Sequence, residues 1–211
     1  MFWIAGLCAV CFGICFPLFM HYKRSLRLHL ASAYKVTGTL CAFLPALIAA
    51  IRLDPRCYVC AAAILLYAVA DYLLEFSPPL GAGFFLAGHI CNISFFLNLV
   101  PVSVLHLICL LLLGGMMVFI CFRFRKQFGK QLPAFAVYGF SLVFMSACAI
   151  GCFPSGTLAG ILISCGGALF YLSDAMLIRR TLLPSDHILS WAIMITYYAA
   201  NLLFGIACLQ L

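Results

Sequence analysis

Two aspartates stand where this chain supplies least water. Asp71 lies in "YAVADYLLE" and Asp174 in "GGALFYLSDAMLIRR", both within apolar runs. An ionisable group held in apolar surroundings is expensive, so each is a candidate for function rather than ornament. Two carboxylates in different environments can divide proton donation from proton acceptance and cation stabilisation. Few other polar groups fall in such runs. Lys35, Glu75, His89 and His106 are ionisable, and Asn92, Tyr138, Tyr197, Tyr198 and Asn201 add neutral donors and acceptors. There is no HExxH motif and no set of three histidines to bind zinc, so neither metal nor cofactor is expected.

The elements that must carry these groups follow from composition. Of the 211 residues 67% are hydrophobic and 8% charged, too much apolar surface for a soluble domain to hide. Eight apolar segments are each long enough to span hydrocarbon as a helix. They run over Phe2–Met20, Leu30–Ile51, Cys57–Glu75, Ala82–Val100, Val102–Phe122, Pro133–Phe153, Thr157–Ile178 and Leu189–Leu209. Between them stand short breaks rich in charge, Pro or Gly, such as "RLDPR", "FSPPLG" and "RRTLLPSDH". The first segment lacks a basic leader and a clean small-residue cleavage site, so it reads as a helix rather than a signal peptide. None of the breaks is long enough for a separate domain. The expected fold is all-α: a polytopic membrane protein, residues 1–211 forming one integral-membrane domain.

The net charge of +7 bears on topology, not on nucleic acid, because the cations are scattered and form no aromatic-interleaved patch. Lys23, Arg24, Arg27, Arg123, Arg125, Lys126, Lys130, Arg179 and Arg180 fall in the loops after odd-numbered helices, whereas only Arg52 and Arg56 fall on the opposite side. The positive-inside rule then puts the odd loops in the cytoplasm and both termini on the other side. A bacterial inner membrane and an endoplasmic reticulum membrane satisfy it equally. The 13 cysteines lie mostly in apolar runs, where Cys is a small hydrophobe. Cys8 with Cys11 and Cys57 with Cys60 have CxxC spacing but no histidine beside them, which argues against a zinc site and a disulfide framework alike.

Depth joins the polar residues. In this topology Lys35, Asp71, His89, Tyr138 and Asp174 all lie roughly 6–11 Å from the cytoplasmic edge, at about 1.5 Å per residue. Tyr198 and Asn201 lie deeper. Five helices thus bring polar groups to one slab. Plainer roles stand beside this reading: Lys35 and Glu75 as snorkelling side chains, His106 as a helix contact, the tyrosines as packing aromatics, and the aspartates as partners in a structural ion pair. No internal repeat is evident, which disfavours inverted-repeat carriers.

Several of these stretches resemble the YhhN family of membrane lysoplasmalogenases, the alkenylglycerophosphocholine and alkenylglycerophosphoethanolamine hydrolases. The stretches are "YAVADYLLE", "GFFLAGHICNISFF", "PAFAVYGFSLVFM", "GGALFYLSDAMLI" and "MITYYAANLLFGIACL", in the family's order and on the corresponding helices. Ala70 replaces the usual Gly before the first Asp, Asn92 a Tyr, Asn201 a Gln, and Val36 a Pro after Lys35. The change at Asn92 bears on headgroup or chain preference. The resemblance implies hydrolysis of a lysoplasmalogen vinyl ether to a fatty aldehyde and glycerophosphocholine or glycerophosphoethanolamine. It implies Asp71 and Asp174 as the acid–base pair. Lys35, His89, Asn92, Tyr138, Ser173, Tyr197, Tyr198 and Asn201 would contact the substrate, and Lys35 with Arg27 or Arg179 would meet its phosphate. The partner implied is a lysophospholipid drawn from the cytoplasmic leaflet.

That chemistry suits the residues. Vinyl ether hydrolysis starts with protonation of the β-carbon, which needs a positioned acid. Water then attacks the oxocarbenium ion, which needs a base and a stabilising anion, as in glycoside hydrolysis. The alternatives are a small-molecule or lipid carrier, a zinc-dependent lipid hydrolase and a non-catalytic lipid-binding protein. A carrier needs access from both sides, a zinc enzyme needs three histidines at one depth, and a scaffold survives loss of the aspartates.

Overall fold

The computed structural model describes residues 2–183 and 187–211. It contains eight long helices: α1 (Phe2–Arg24), α2 (Leu28–Arg52), α3 (Cys57–Leu73), α4 (Pro78–Leu99), α5 (Val104–Arg123), α6 (Leu132–Ile150), α7 (Leu158–Leu182) and α8 (His187–Cys208). Among the described residues there is no strand. Seven helices are long and apolar enough to cross a membrane, and α3, apolar but only 17 residues long, is the exception.

The ends of the helices follow local chemistry. Helix α4 starts at Pro78, earlier than the apolar run suggests, because proline's fixed φ and missing N–H suit a first turn. Helix α7 continues through Arg179 and Arg180 to Leu182, since cations in a last turn meet unpaired carbonyls rather than break the helix. The break "RRTLLPSDH" extends beyond it, and its residues 184–186 lie outside the described residues. Helix α1 widens into a π-helical stretch over Ala9–Cys15, just before Pro17, whose absent N–H disturbs the ladder there. His106 caps α5: its Nδ1 stands 3.0 Å from the Ser103 backbone nitrogen and 2.9 Å from Ser103 Oγ. Between α2 and α3 the Arg56 guanidinium donates to Asp54 and holds its carboxyl below the usual carboxylate range.

Six helices close a ring in the order α2, α3, α4, α6, α7, α8 and back to α2. Helix α1 lies outside against α2, and α5 lies outside against α6. Each half of the chain thus contributes three consecutive helices to the ring and leaves its leading helix outside. The polar residues repeat with it. The sequence separation from Lys35 to Tyr138 equals that from Asp71 to Asp174, and that from His89 to Tyr198 equals that from Asn92 to Asn201. The arrangement corrects the reading of the sequence as lacking a repeat. Apolar residues facing lipid interchange freely, so similarity survives only at the few positions that face inward.

Small residues let the ring close. In a membrane, helices gain little from hiding apolar surface from one another, and close backbone approach does more. Ala42, Ala46 and Ala49 of α2 are fully buried, and a Cβ on Gly205 of α8 would collide with the Ala42 carbonyl. By contrast a Cβ on Gly115 of α5 would meet nothing within 4 Å. Gly205→Leu is expected to lose about 1–3 kcal/mol of stability through overpacking, measured by thermal unfolding in detergent. Gly115→Leu should leave the midpoint where it is.

Candidate active site

Asp71 sits in the last full turn of α3 and is completely buried. A lone carboxylate there would be untenable, and three side chains from two other helices contribute to its neutralisation. Lys35 Nζ of α2 lies 3.0 Å from Oδ1, Thr39 Oγ1 one turn along the same helix donates to Oδ2 at 2.5 Å, and Tyr197 OH of α8 donates to Oδ2 at 2.9 Å. Lys35 is itself buried, so the pair is shielded from water on both sides. Tyr198, next to Tyr197, turns to the other flank of α2 and donates its hydroxyl to the Lys35 carbonyl at 3.2 Å. Gly38 makes room for that ring: a Cβ there would stand 2.7 Å from Tyr198 Cζ.

Asp174 occupies the matching place in α7, with different company. Tyr138 OH of α6 donates to its Oδ2 at 2.5 Å. Among the described residues Asp174 has no ion-pair partner within salt-bridge distance, and its Oδ1 accepts no hydrogen bond. The two carboxylates therefore differ in kind: one is held by an ammonium and two hydroxyls, the other by a single phenol.

Both line one cavity of about 690 Å³, with Lys35, Tyr138, Ser173 and Tyr197. It opens at the end of the bundle where α1, α3 and α7 finish, among Lys23, Arg24, Glu75 and Arg180. Leu74, Phe85, Leu177, Ile193 and Met194 supply an apolar wall. Beneath the carboxylates Phe170, one turn before Asp174, packs edge-on against Tyr197 and His89, 5.6 and 5.5 Å between centroids.

The structure thus brings Asp71, Asp174, Lys35, Tyr138, Ser173 and Tyr197 around one space, with Ser173 Oγ donating to the Ile193 carbonyl at 3.0 Å. His89, Asn92, Tyr198 and Asn201 are buried behind that lining rather than in it. His89 Nδ1 lies 3.0 Å from Ser141 Oγ, whose own proton goes to the Tyr138 carbonyl at 2.6 Å. With that proton engaged, Ser141 Oγ is left to accept from His89 Nδ1, and Nε2 has no hydrogen-bond partner among the described residues. Asn92 donates to Tyr67 OH at 3.0 Å, and Asn201 donates to the Tyr197 carbonyl at 3.0 Å.

Sequence reasoning missed Thr39, Tyr67 and Ser141. Thr39 was within reach of it, since it stands four residues after Lys35 on the same helix face. Nothing in the sequence pairs Lys23 with Glu75, whose 2.5 Å contact joins the ends of α1 and α3. The cavity mouth also takes Lys23, Arg24 and Arg180 in place of the expected Arg27 and Arg179. Among the described residues no three His, Cys, Asp or Glu side chains converge as a metal site would need, and the cysteines are unpaired.

Lys35→Met should destabilise the protein by about 3–5 kcal/mol, because it leaves Asp71 charged and unpaired in the interior. Lys35→Met combined with Asp71→Asn should recover most of that loss in the same unfolding measurement.

No curated protein and no solved structure matches the chain at a significant level. The model of the YhhN family matches residues 30–207, which take in the six ring helices but for the first two residues of α2 and the last of α8, and every residue that places the two carboxylates. The chain belongs to the YhhN family.

Proposed function

We propose that this protein hydrolyses the vinyl ether bond of lysoplasmalogens, releasing a fatty aldehyde and glycerophosphoethanolamine or glycerophosphocholine. The observation that carries the reading is the unequal pair of carboxylates on one cavity. Asp71, fixed as the anion by Lys35, Thr39 and Tyr197, faces the cationic intermediate. Asp174, without a cation within ion-pair distance among the described residues, carries the proton on its free oxygen.

The steps follow from those roles. Asp174 transfers its proton to the β-carbon of the vinyl ether, and the double bond shifts to give an oxocarbenium ion. Asp71 stabilises that ion through space. Water adds to the α-carbon while Asp174, now a carboxylate, accepts its proton. The hemiacetal then collapses to aldehyde and alcohol. Tyr138 orients Asp174, and Tyr197 orients Asp71. Ser141, through His89, steadies the wall on which Tyr138 stands.

The membrane setting belongs to the same proposal. All eight helices cross, α3 included. It has 17 residues and a rise of about 25 Å, and the layer spanned thins or dips around its polar end. Both termini are non-cytoplasmic, and the cavity opens to the cytoplasmic leaflet, from which a single-chain lipid enters with its linkage at the level of the carboxylates. The membrane is a bacterial inner membrane or that of the endoplasmic reticulum. The repeated packing of the two halves is what a carrier with parallel repeats would also have, and transport is therefore the second reading.

Purified protein given a 1-alkenyl lysophospholipid in chelator is expected to release aldehyde, with none from the 1-acyl analogue. Asp71→Asn and Asp174→Asn should each lower kcat by about 10²–10⁴-fold. Full turnover in either variant would remove that aspartate from the mechanism. Aldehyde release from neither substrate, with vesicle uptake of the intact lipid, would establish the carrier.

A further inference from the structure

The proton chemistry leaves unused the ion pair at the cavity mouth. Lys23 closes α1, Glu75 follows the end of α3, and their side chains meet at 2.5 Å on the cavity wall. Their side chains are 35% and 12% exposed, so the pair faces the opening rather than the core. Lys23 Nζ also rests 5.3 Å from the centroid of the Phe19 ring. Arg24 and Arg180 line the same mouth. Because the pair joins two helix ends at the opening, a ligand that carries both charges can exchange partners with it.

A ligand that replaces both partners at once must carry both charges, negative toward Lys23, Arg24 and Arg180, positive toward Glu75. A phosphodiester bearing an ammonium group does so.

Taking the lysophospholipid reading as its basis, we infer that Glu75, with Lys23, Arg24 and Arg180, is the headgroup receptor and selects phosphoethanolamine over phosphocholine. A carboxylate accepts charge-assisted hydrogen bonds from a primary ammonium, whereas a trimethylammonium has no N–H to give. A quaternary ammonium is instead held in a cage of several aromatic faces. Among the described residues the one ring within cation–π range of Lys23 is Phe19. On binding, the phosphate takes Lys23 and the arginines, and the substrate ammonium takes the place of Lys23 against Glu75.

The test measures binding without turnover. The full chain in detergent micelles is titrated with saturated 1-O-alkyl lysophosphoethanolamine and lysophosphocholine of equal chain length, neither of which has a vinyl carbon to protonate. Wild type should bind the ethanolamine lipid about tenfold more tightly, and Glu75→Gln should bring the two within twofold. The double variant Lys23→Glu/Glu75→Lys, which restores the ion pair in reverse, should keep the thermal midpoint and lose the preference. Equal affinities in wild type, or a preference that survives in either variant, overturns the receptor. Glycerophosphoethanolamine or inorganic phosphate binding as tightly as the alkyl lipids would also overturn it, since the site would then serve a free solute. Aldehyde release without headgroup preference sinks the receptor alone, and headgroup preference without aldehyde release sinks the hydrolase alone.

Discussion

The rest of the bundle depends on how a buried carboxylate is kept tolerable. Asp71 has no access to solvent, and three donors from two other helices surround it. Each of those donors is fixed in turn. The Lys35 carbonyl accepts from Tyr198, and Gly38 leaves space for that ring. The contact of α2, α3 and α8 is therefore a polar lock set within apolar packing. Water is scarce there, so a lost donor is not replaced by solvent, and the register of three helices is tied to one side chain.

Against that lock, the repeat explains how one architecture yields two different carboxylates. Asp71 and Asp174 stand on corresponding helices, each facing a residue from the preceding ring helix. On one side that residue is a lysine, and on the other a tyrosine. The lysine supplies a full charge and the tyrosine only a dipole. A symmetric scaffold becomes chemically asymmetric through a single difference in side-chain type, which is what an acid and a stabilising anion on one cavity require.

The outer helices have a different part. Helix α1 brings Phe19, Met20, Lys23 and Arg24 to the cavity mouth, whereas α5 contributes nothing to the lining. The charged rim therefore comes from the ends of α1, α3 and α7, and the apolar wall from residues one or two turns inside. A ligand with a charged head and one long chain matches that gradient.

Much of this was legible in the residues themselves. Hydropathy and the breaks gave eight helices, because a chain this apolar must satisfy its backbone within helices when no water is available. Asp71, Asp174, Lys35 and Tyr138 stood out because ionisable and phenolic groups are rare in such runs, and their common depth follows from a fixed helical rise. The ring order, the Thr39 and Tyr197 contacts with Asp71, and the Lys23–Glu75 pair were not legible. Depth says how far along a helix a residue lies but not which helix faces it. That is decided by where Gly205 and Gly38 let backbones and rings come close, a property of packing between segments distant in sequence. The sequence alone therefore determined which groups are costly within apolar helices, and the tertiary structure alone decided that Lys35 goes to Asp71 and Tyr138 to Asp174, because only the closed ring brings each pair within hydrogen-bonding reach.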